Sequence, residues 1–283
     1  IEKYANIRTN VHYASEYRYQ KNFFDKDTLV ILISQSGETA DTLAAMKLAN
    51  EHDIDTLSIV NRRDSSIARE SKYVIYTPAG IEIAVATTKA YLAQVIILIL
   101  LAIKNSSMEE EGIRELKLLP NIITKYINDF NYKEIAKLVS DKKNIFYLGR
   151  GIDYYLALEG SLKLKEISYI HSEAFPAGEL KHGSISLIDE NFGVIAIVLD
   201  KSISDKTISN LKEVSSRGAE VIAITNIDKD DFSTHKILLD NHSEFLTPLT
   251  AIIPMQLLAY NTALIKGYDI DKPRNLAKSV TVE

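Results

Sequence analysis

Cysteine is absent from this sequence of 283 residues. A chain without cysteine can form no disulfide, bind no metal through thiolates and use no cysteine nucleophile, and it fits a reducing cytoplasm. An excess of positive charge is absent too, because 33 Lys and Arg residues stand against 38 Asp and Glu residues and give a net charge of −5. The basic residues are also scattered, which argues against a nucleic acid or an acidic membrane surface as the main partner.

Several motifs of metal and cofactor chemistry are missing as well. The six histidines show no paired metal-ligand spacing such as H-E-x-x-H. Neither a P-loop nor the G-x-S-x-G turn of serine hydrolases is found. The longest apolar run, residues 90–103, contains Gln94 and is shorter than the roughly 20 residues that span a bilayer, so it predicts a core helix. We therefore expect no metal, no cofactor and no membrane span.

The sequence does contain a strand–helix rhythm that occurs twice, once before and once after a polar break at residues 105–111. Such alternation predicts parallel sheets with helices on both faces. The predicted strands are residues 29–33, 56–60, 73–76, 144–148, 194–198, 221–224 and 236–239. We predict an α/β protein with a first domain over residues 1–112, a helical connector over 113–140, a second domain over 141–272 and a tail over 273–283.

The apolar strand at residues 29–33 ends abruptly in a polar turn, residues 34–39 (SQSGET). The strand segment has the length and the β-branched content of a buried strand. A strand that ends in a Ser/Gly turn at a helix N-terminus gathers N–H groups and hydroxyls around one point, which favours an anion and most naturally a phosphate. An ordinary strand–helix turn with an N-cap is the alternative.

A second polar cluster lies in the other half of the chain. Glu159, Lys163 and Glu166 are spaced by four and three residues, so they share one face of a predicted helix. They form either a plain ladder of ion pairs or a site for proton transfer. The segment after that helix adds His171, His182 and several glycines, a combination that often carries function, although each histidine alone is more typical of a structural role.

The turn at residues 149–151 (GRG) is only a partial glycine-rich motif. It lacks the third glycine and the later acidic residue of a dinucleotide fingerprint, so a nucleotide site is weakly supported. Phosphate capture by hydroxyls, together with Glu, Lys and His as proton-transfer groups, instead suits enolisation of a phosphorylated sugar. In that chemistry a carboxylate moves a proton between adjacent carbons, while Lys or His assists the carbonyl or ring oxygen.

Four motifs carry a resemblance to a known family. The SQSGET turn resembles the signature of the sugar isomerase (SIS) domain. Residues 158–169 (LEGSLKLKEISY), 177–183 (AGELKHG) and 273–283 (PRNLAKSVTVE) are similar to the glutamine–fructose-6-phosphate aminotransferases. The resemblance runs in order through nearly the whole chain. It implies two SIS units, each a mainly parallel sheet flanked by helices in a flavodoxin-like, three-layer arrangement, which together form the isomerase part of that enzyme.

The resemblance also implies roles for single residues at a site for a phosphorylated sugar. The substrate-binding residues would be Ser34, Gln35, Ser36 and Thr39 at the phosphate, with Val85, Thr87 and Ala277 along the sugar. Glu166, chosen over Glu159 by the resemblance alone, would be the base that moves a proton between carbons 1 and 2, with Lys163 as its helper. His182 would assist ring opening from the neighbouring subunit of a homodimer, and Lys278 would form a Schiff base with the open-chain ketose.

The expected reaction converts fructose-6-phosphate and ammonia to glucosamine-6-phosphate, without a cofactor. In the family, ammonia comes from a glutaminase domain on the same chain, and a first strand with a Cys-Gly-Thr-Ser-like turn is expected before Ile1. Ser184 stands where the family commonly has Pro and is expected to loosen the loop that carries His182. The alternatives are another SIS phosphosugar isomerase or deglycase, and a non-catalytic regulator that binds a phosphosugar.

Overall fold

The computed structural model describes residues 1–104, 106–229 and 231–281. The chain divides into two compact units, one formed by Ile1–Gly112 with Arg274–Glu283 and one formed by Ile113–Pro273. The helical stretch after residue 112 thus belongs to the second unit, whereas the C-terminal segment belongs to the first. The last two residues of the predicted tail, 282 and 283, lie outside the described residues.

The first unit is built on a three-stranded parallel sheet with the order β1-β2-β3. Its elements are α1 (Glu2–Ala5), α2 (Ala14–Tyr17), β1 (Leu29–Ser34), α3 (Ala40–Glu51), β2 (Asp55–Val60), α4 (Ser66–Glu70), β3 (Tyr73–Tyr76) and α5 (Lys89–Ile103). Ser34 lies opposite Val60, so the carboxyl ends of β1 and β2 reach the same edge of the sheet. Leu32 of β1, Met46 of α3 and Ile67 of α4 are buried in one apolar cluster.

Two predictions for the first unit, a buried first strand and a core helix at residues 90–103, are wrong in part, because the sheet of this unit is small. β1 is an edge strand, and Leu29 and Ile33 are exposed by 47% and 44%, whereas the sequence predicts a buried strand. In α5, predicted as a core helix, only Ala90, Ala102 and Ile103 are buried among its 15 residues. A helix that is apolar all round needs neighbours on every side to be buried, and the three strands described in this unit do not provide them.

The second unit has a five-stranded parallel sheet with the order β5-β4-β6-β7-β8. Its elements are α6 (Glu109–Leu116), which crosses the division between the units, α7 (Leu119–Asp129), α8 (Tyr132–Ser140), β4 (Asn144–Gly149), α9 (Ile152–Ser168), β5 (His171–Pro176), β6 (Gly193–Val198), α10 (Ser204–Ser215), β7 (Glu220–Thr225), β8 (His235–Leu238) and α11 (Thr247–Ile265). The order second-first-third-fourth-fifth is that of the flavodoxin-like fold. The predicted α/β class with parallel sheets is therefore confirmed.

Helices cover both faces of this second sheet. On one face, Phe146 and Leu148 of β4 share an apolar cluster with Leu211 of α10. On the other, Tyr147 of β4 approaches Gly160 of α9 closely, because successive side chains of a strand point to opposite faces. The central strand β6 is buried at every residue, as expected for a strand covered on both sides.

The apolar helix α11 packs against α7, α8 and α9 in this unit. It is the one described helix that is long and apolar enough to cross a membrane, yet 61% of an 18-residue apolar stretch within it is buried inside the protein. Such burial is typical of a core helix.

Strand β5 is the strand that the sequence pattern missed. It pairs in parallel with β4 from His171 opposite Asn144 to Pro176 opposite Gly149. A search for alternating apolar residues does not find this strand, because the buried position between His171 and Glu173 is occupied by Ser172 rather than by an apolar residue. Burial alternates over the first three residues of the strand, but hydrophobicity does not alternate with it.

Candidate active site

The SQSGET turn of the first unit gathers three hydroxyls at the carboxyl end of β1. The Ser34 Oγ accepts a hydrogen bond from the Gly37 N–H at 3.0 Å and lies 3.1 Å from the Thr39 Oγ1. The Ser36 Oγ accepts the Glu38 N–H at 3.2 Å. Both serines are buried, and Thr39 is the N-cap of α3. Hydroxyls and N–H groups at a helix N-terminus form a suitable site for an anion.

The turn is held in place by contacts with α4. Gly37 has φ +66°, and a Cβ atom on it would lie 2.1 Å from the Ser65 Oγ, so only glycine fits there. The Glu38 carboxylate accepts the Ser66 N–H at 2.9 Å, and this hydrogen bond lowers the pKa of Glu38. Gln35 is half-buried within the same turn. The sequence does not predict this role of α4, because the two segments are about 30 residues apart.

The C-terminal tail places an amine beside the segment that precedes α5. The Lys278 Nζ donates to the Ala84 carbonyl oxygen at 2.6 Å and lies 3.4 Å from the Thr87 Oγ1. Val85, one of the two residues between these contacts, is half-buried, whereas Ala277 is exposed. The structure thus brings Lys278 and Thr87 together, although they are 191 residues apart.

Two further contacts fix the tail to the SQSGET turn and to the start of α3. The Ser279 Oγ lies 3.1 Å from the Ser36 Oγ. The Val280 carbonyl oxygen accepts the Ala40 N–H, the first of α3, at 3.1 Å. Ser279 is a residue that sequence reasoning did not single out, although it directly follows Lys278. Its contact with Ser36 couples the tail to the hydroxyls of the turn.

Glu82 is a second residue that the sequence prediction missed. Its side chain is buried and accepts the Ala90 N–H at 2.9 Å, with the Thr88 N–H and hydroxyl at 3.5 Å. It therefore satisfies N–H groups at the start of α5, which otherwise lack partners within the helix. The segment between Glu82 and α5 carries two groups that contact Lys278. An acidic residue just before a helix start is a weak signal that could have identified it.

The polar cluster of the second unit lies along α9. The Lys163 Nζ is 2.7 Å from the Glu166 Oε2 and 3.5 Å from the Glu159 Oε1. The side chains of Lys163, Glu159 and Glu166 are exposed by only 6%, 13% and 21%. The predicted shared helix face is thus observed. One ammonium between two shielded carboxylates differs from a surface ion-pair ladder, which lies in water.

Burial changes the acidity of one member of this cluster. Loss of solvent raises the pKa of Glu159 to about 7, although the Lys163 ammonium opposes the rise, and the Glu166 charge adds to it. A carboxyl group with such a pKa exchanges protons near neutral pH, which is a common feature of catalytic sites.

His182 comes later in the sequence than this cluster, at the end of a 3-10 turn (Glu179–His182). It is exposed, and its ring makes no hydrogen bond or ion pair with any other residue that the structure describes. Ser184 begins a second 3-10 turn, Ser184–Leu187. His171 instead contacts Asn144 at 3.1 Å and Glu173 at 3.6 Å at the start of the sheet.

The crevice where ligands bind in flavodoxin-like folds lies between the carboxyl ends of β4 and β6. Here the buried Asp153 carboxylate fills that position, accepting the N–H groups of Leu199 and Asp200 at 2.9 and 3.1 Å. A Cβ atom on Gly149 would lie 2.4 Å from the Asp153 backbone, so this glycine allows α9 to pack closely. The GRG turn therefore serves packing, and a carboxylate at the crevice disfavours a phosphate.

Among the described residues, no group of three or more His, Asp or Glu side chains is arranged to hold a metal ion. The chemistry available consists of hydroxyls and an amine in the first unit, and of a carboxylate–ammonium–carboxylate cluster in the second.

Comparison with known proteins agrees with this arrangement. A family model described as "SIS domain" matches residues 1–104 and 138–266. A glutamine–fructose-6-phosphate aminotransferase (isomerizing) from Clostridium tetani is 48% identical over all of this chain, which spans 48% of that protein's length. The chain thus spans about half the length of the curated relatives it matches.

Two solved structures are similar in fold and sequence. The C-terminal domain of glucosamine-fructose-6-phosphate aminotransferase from Francisella tularensis has a TM-score of 0.90 and 40% identity, over 96% of this chain and 80% of that one. A glucosamine-6-phosphate deaminase from Thermotoga maritima has a TM-score of 0.79 and 25% identity, over 99% of this chain and 83% of that one. The chain therefore belongs to the SIS domain family and, within it, corresponds to the C-terminal domain of the glutamine–fructose-6-phosphate aminotransferases.

Proposed function

We propose that this chain is the isomerase part of a glutamine–fructose-6-phosphate aminotransferase and converts fructose-6-phosphate and ammonia to glucosamine-6-phosphate. One observation carries the proposal: the Lys278 amine lies beside Thr87, while the next residue, Ser279, contacts the hydroxyl turn. An anion site and a nucleophilic amine held together suit a phosphorylated carbonyl substrate. The similarity to the named aminotransferases supports the same substrate.

In this proposal the phosphate binds at the SQSGET turn. The hydroxyls of Ser34, Ser36 and Thr39 hydrogen-bond to one another or to backbone N–H groups, and they would turn toward the phosphate oxygens when the substrate binds. The Gln35 side chain would add a donor. Val85, Thr87 and Ala277 would contact the sugar.

Lys278 is proposed to form the covalent intermediate. Its ammonium first loses a proton, and the amine then attacks carbon 2 of the open-chain ketose, so that water leaves and a Schiff base forms. Ammonia then displaces the Lys278 amine and leaves an imine at carbon 2. The lysine returns to its starting state, and no cofactor is consumed.

Glu166 is proposed to complete the isomerisation. Its carboxylate takes a proton from carbon 1 of the imine and returns it to carbon 2. The hydroxyl on carbon 1 loses its proton and becomes the aldehyde oxygen, while the nitrogen on carbon 2 gains one and becomes the amine. Lys163, which is 2.7 Å from Glu166, would stabilise the carboxylate and assist a sugar oxygen.

We further propose a homodimer in which His182 assists ring opening in the partner's site. The exposed position of His182 at a turn supports a role toward another chain. Ammonia would be supplied by a glutaminase domain of the same protein, and a reaction on a phosphorylated sugar favours the cytoplasm.

The test is the formation of glucosamine-6-phosphate from fructose-6-phosphate at high ammonium. We expect the parent chain to form the product and Lys278→Arg, which keeps the charge but is too basic to form a Schiff base, to form none. Lys272→Arg is the matched control, because Lys272 is an exposed lysine a few residues away and its change should leave the rate unaltered. Glu166→Gln should also be inactive, while it still binds the phosphosugar.

Three results would contradict the proposal in different ways. Full activity of Glu166→Gln would refute the assignment of the base. Release of ammonia from glucosamine-6-phosphate without the synthetic reaction would indicate a deaminase, as named for the Thermotoga maritima structure. Phosphosugar binding without turnover in any direction would indicate a regulator.

The shared site has its own test. Neither a His182→Ala chain nor a Glu166→Gln chain should be active alone, but mixed dimers of the two should regain part of the activity. No recovery in dimers proven to be mixed would contradict the shared site.

A further inference from the structure

A carboxyl group that the proposed reaction does not use stands next to the residues that it does use. Glu159 is one helical turn before Lys163 and 3.5 Å from its Nζ. Lys163 in turn is 2.7 Å from Glu166. The same ammonium therefore binds two carboxylates, and its attraction for one of them depends on whether the other is charged.

The surroundings of Glu159 make this cluster sensitive to a single proton. Its side chain is 13% exposed, and burial raises its pKa to about 7. The elements packed on α9 add few titratable groups. α11 contributes only the partly exposed Tyr260, β6 contributes none, β4 contributes the buried Tyr147, and β5 contributes the exposed His171 and Glu173.

We propose that Glu159 is a positioning residue which, by gaining or losing a proton, sets how tightly Lys163 holds the proposed base Glu166. When Glu159 is protonated, Glu166 is the one charged carboxylate beside Lys163. The ammonium then stabilises the Glu166 carboxylate most strongly, which weakens Glu166 as a base. When Glu159 is ionised, Lys163 is shared between the two carboxylates, and Glu166 becomes the stronger base. The proton leaves to solvent, and no other group changes its bonds. This inference rests on the proposed function.

The first test is the pH profile of kcat with fructose-6-phosphate and ammonium at saturation. If only the ionised state is active, a group with a pKa of about 7 makes kcat rise about tenfold between pH 6 and pH 8. In Glu159→Gln this component of the rise should disappear while KM changes little. In Glu159→Asp a rise should return, because a carboxylate is restored. Glu220→Gln is the control, since it removes another half-buried carboxylate paired with a lysine and should keep the parent profile.

A structural role alone predicts another result. Glu159→Gln would then lower activity by the same factor at every pH, with the parent's pH dependence unchanged, and this outcome would overturn the inference.

The second test does not depend on turnover. Carbon-13 NMR of protein labelled at the glutamate carboxyl carbons should show one resonance that titrates near pH 7 and is lost in Glu159→Gln. The absence of such a resonance would overturn the inference. If the resonance is found but the parent chain shows no synthesis at any pH, the proposed function fails while the proton-holding role of Glu159 stands.

Discussion

Replacing Gly37 by alanine should destabilise the first unit by an amount that the structure allows us to estimate. Gly37 has φ +66°, and a non-glycine residue in this left-handed region costs about 1–2 kcal/mol. The new Cβ would also lie 2.1 Å from the Ser65 Oγ, so Ser65 must move. Ser65 is the N-cap of α4 and accepts the Ala68 N–H, and the loss of such a cap costs about 1 kcal/mol. The sum is about 2–3 kcal/mol.

Gly80→Ala is a matched control for this prediction. Gly80 has nearly the same φ, +65°, but nothing lies within 4 Å of a Cβ atom there. It should therefore cost only the backbone term of about 1–2 kcal/mol. Native-state hydrogen exchange at amides of α3 and α4 measures both effects in the first unit alone, which a single melting curve of a two-unit chain does not.

The double variant Gly37→Ala with Ser65→Gly separates the clash from the strain. Removing the Ser65 side chain removes both atoms that the new Cβ would meet closely, so the two changes should cost less together than the sum of their separate effects. The reasoning is refuted if Gly37→Ala is no more destabilising than Gly80→Ala, or if the two changes are additive. Gly37→Ala should also weaken the binding of phosphate at the turn.

Three further changes have expected outcomes. Glu82→Gln should weaken the cap at Ala90 by about 1 kcal/mol, and faster exchange of the first amides of α5 would show it. Ser279→Ala should remove the contact with Ser36, worth about 1 kcal/mol, and lower the protection of the first amide of α3. Asp153→Asn should remove a pH dependence. Burial raises the pKa of Asp153 from 3.8 to about 6, so the parent's second unit should lose about 2 kcal/mol between pH 4 and pH 7 through this group, whereas the variant should not. Equal pH dependence of unfolding in the parent and in Asp153→Asn would contradict this last prediction.

The fold was predictable where apolar segments have a clear period. Strands β6, which is buried at every residue, and β7 are short apolar runs between turn signals, and the sequence predicts them nearly to their ends. β5 was not, because Ser172 fills its buried position. The exposure of Ile33 in β1 was also unpredictable, since which strand lies at an edge depends on pairing across the sheet and not on the strand's own sequence.

The candidate site was predictable only in part. The hydroxyl turn could be identified from its position between a strand and a helix, and the face shared by Lys163 and Glu166 from helical spacing. The place of Lys278 beside Thr87 could not be worked out from spacing, because it joins residues 191 positions apart, and only the resemblance to a family indicated it. The capping role of Glu82 has only a weak signal in the sequence, an acidic residue before the start of a helix.

The central claim is that Lys278 forms a Schiff base with a phosphorylated ketose bound at the SQSGET turn. Borohydride reduction of the protein with fructose-6-phosphate, followed by peptide mass spectrometry, tests it most directly. We expect one stable sugar adduct per chain, on the peptide that contains Lys278, and we expect that adduct to be lost in Lys278→Arg but kept in Lys272→Arg. A parent chain that binds the phosphosugar and yields no adduct at Lys278, or yields it equally on other lysines, would contradict the account.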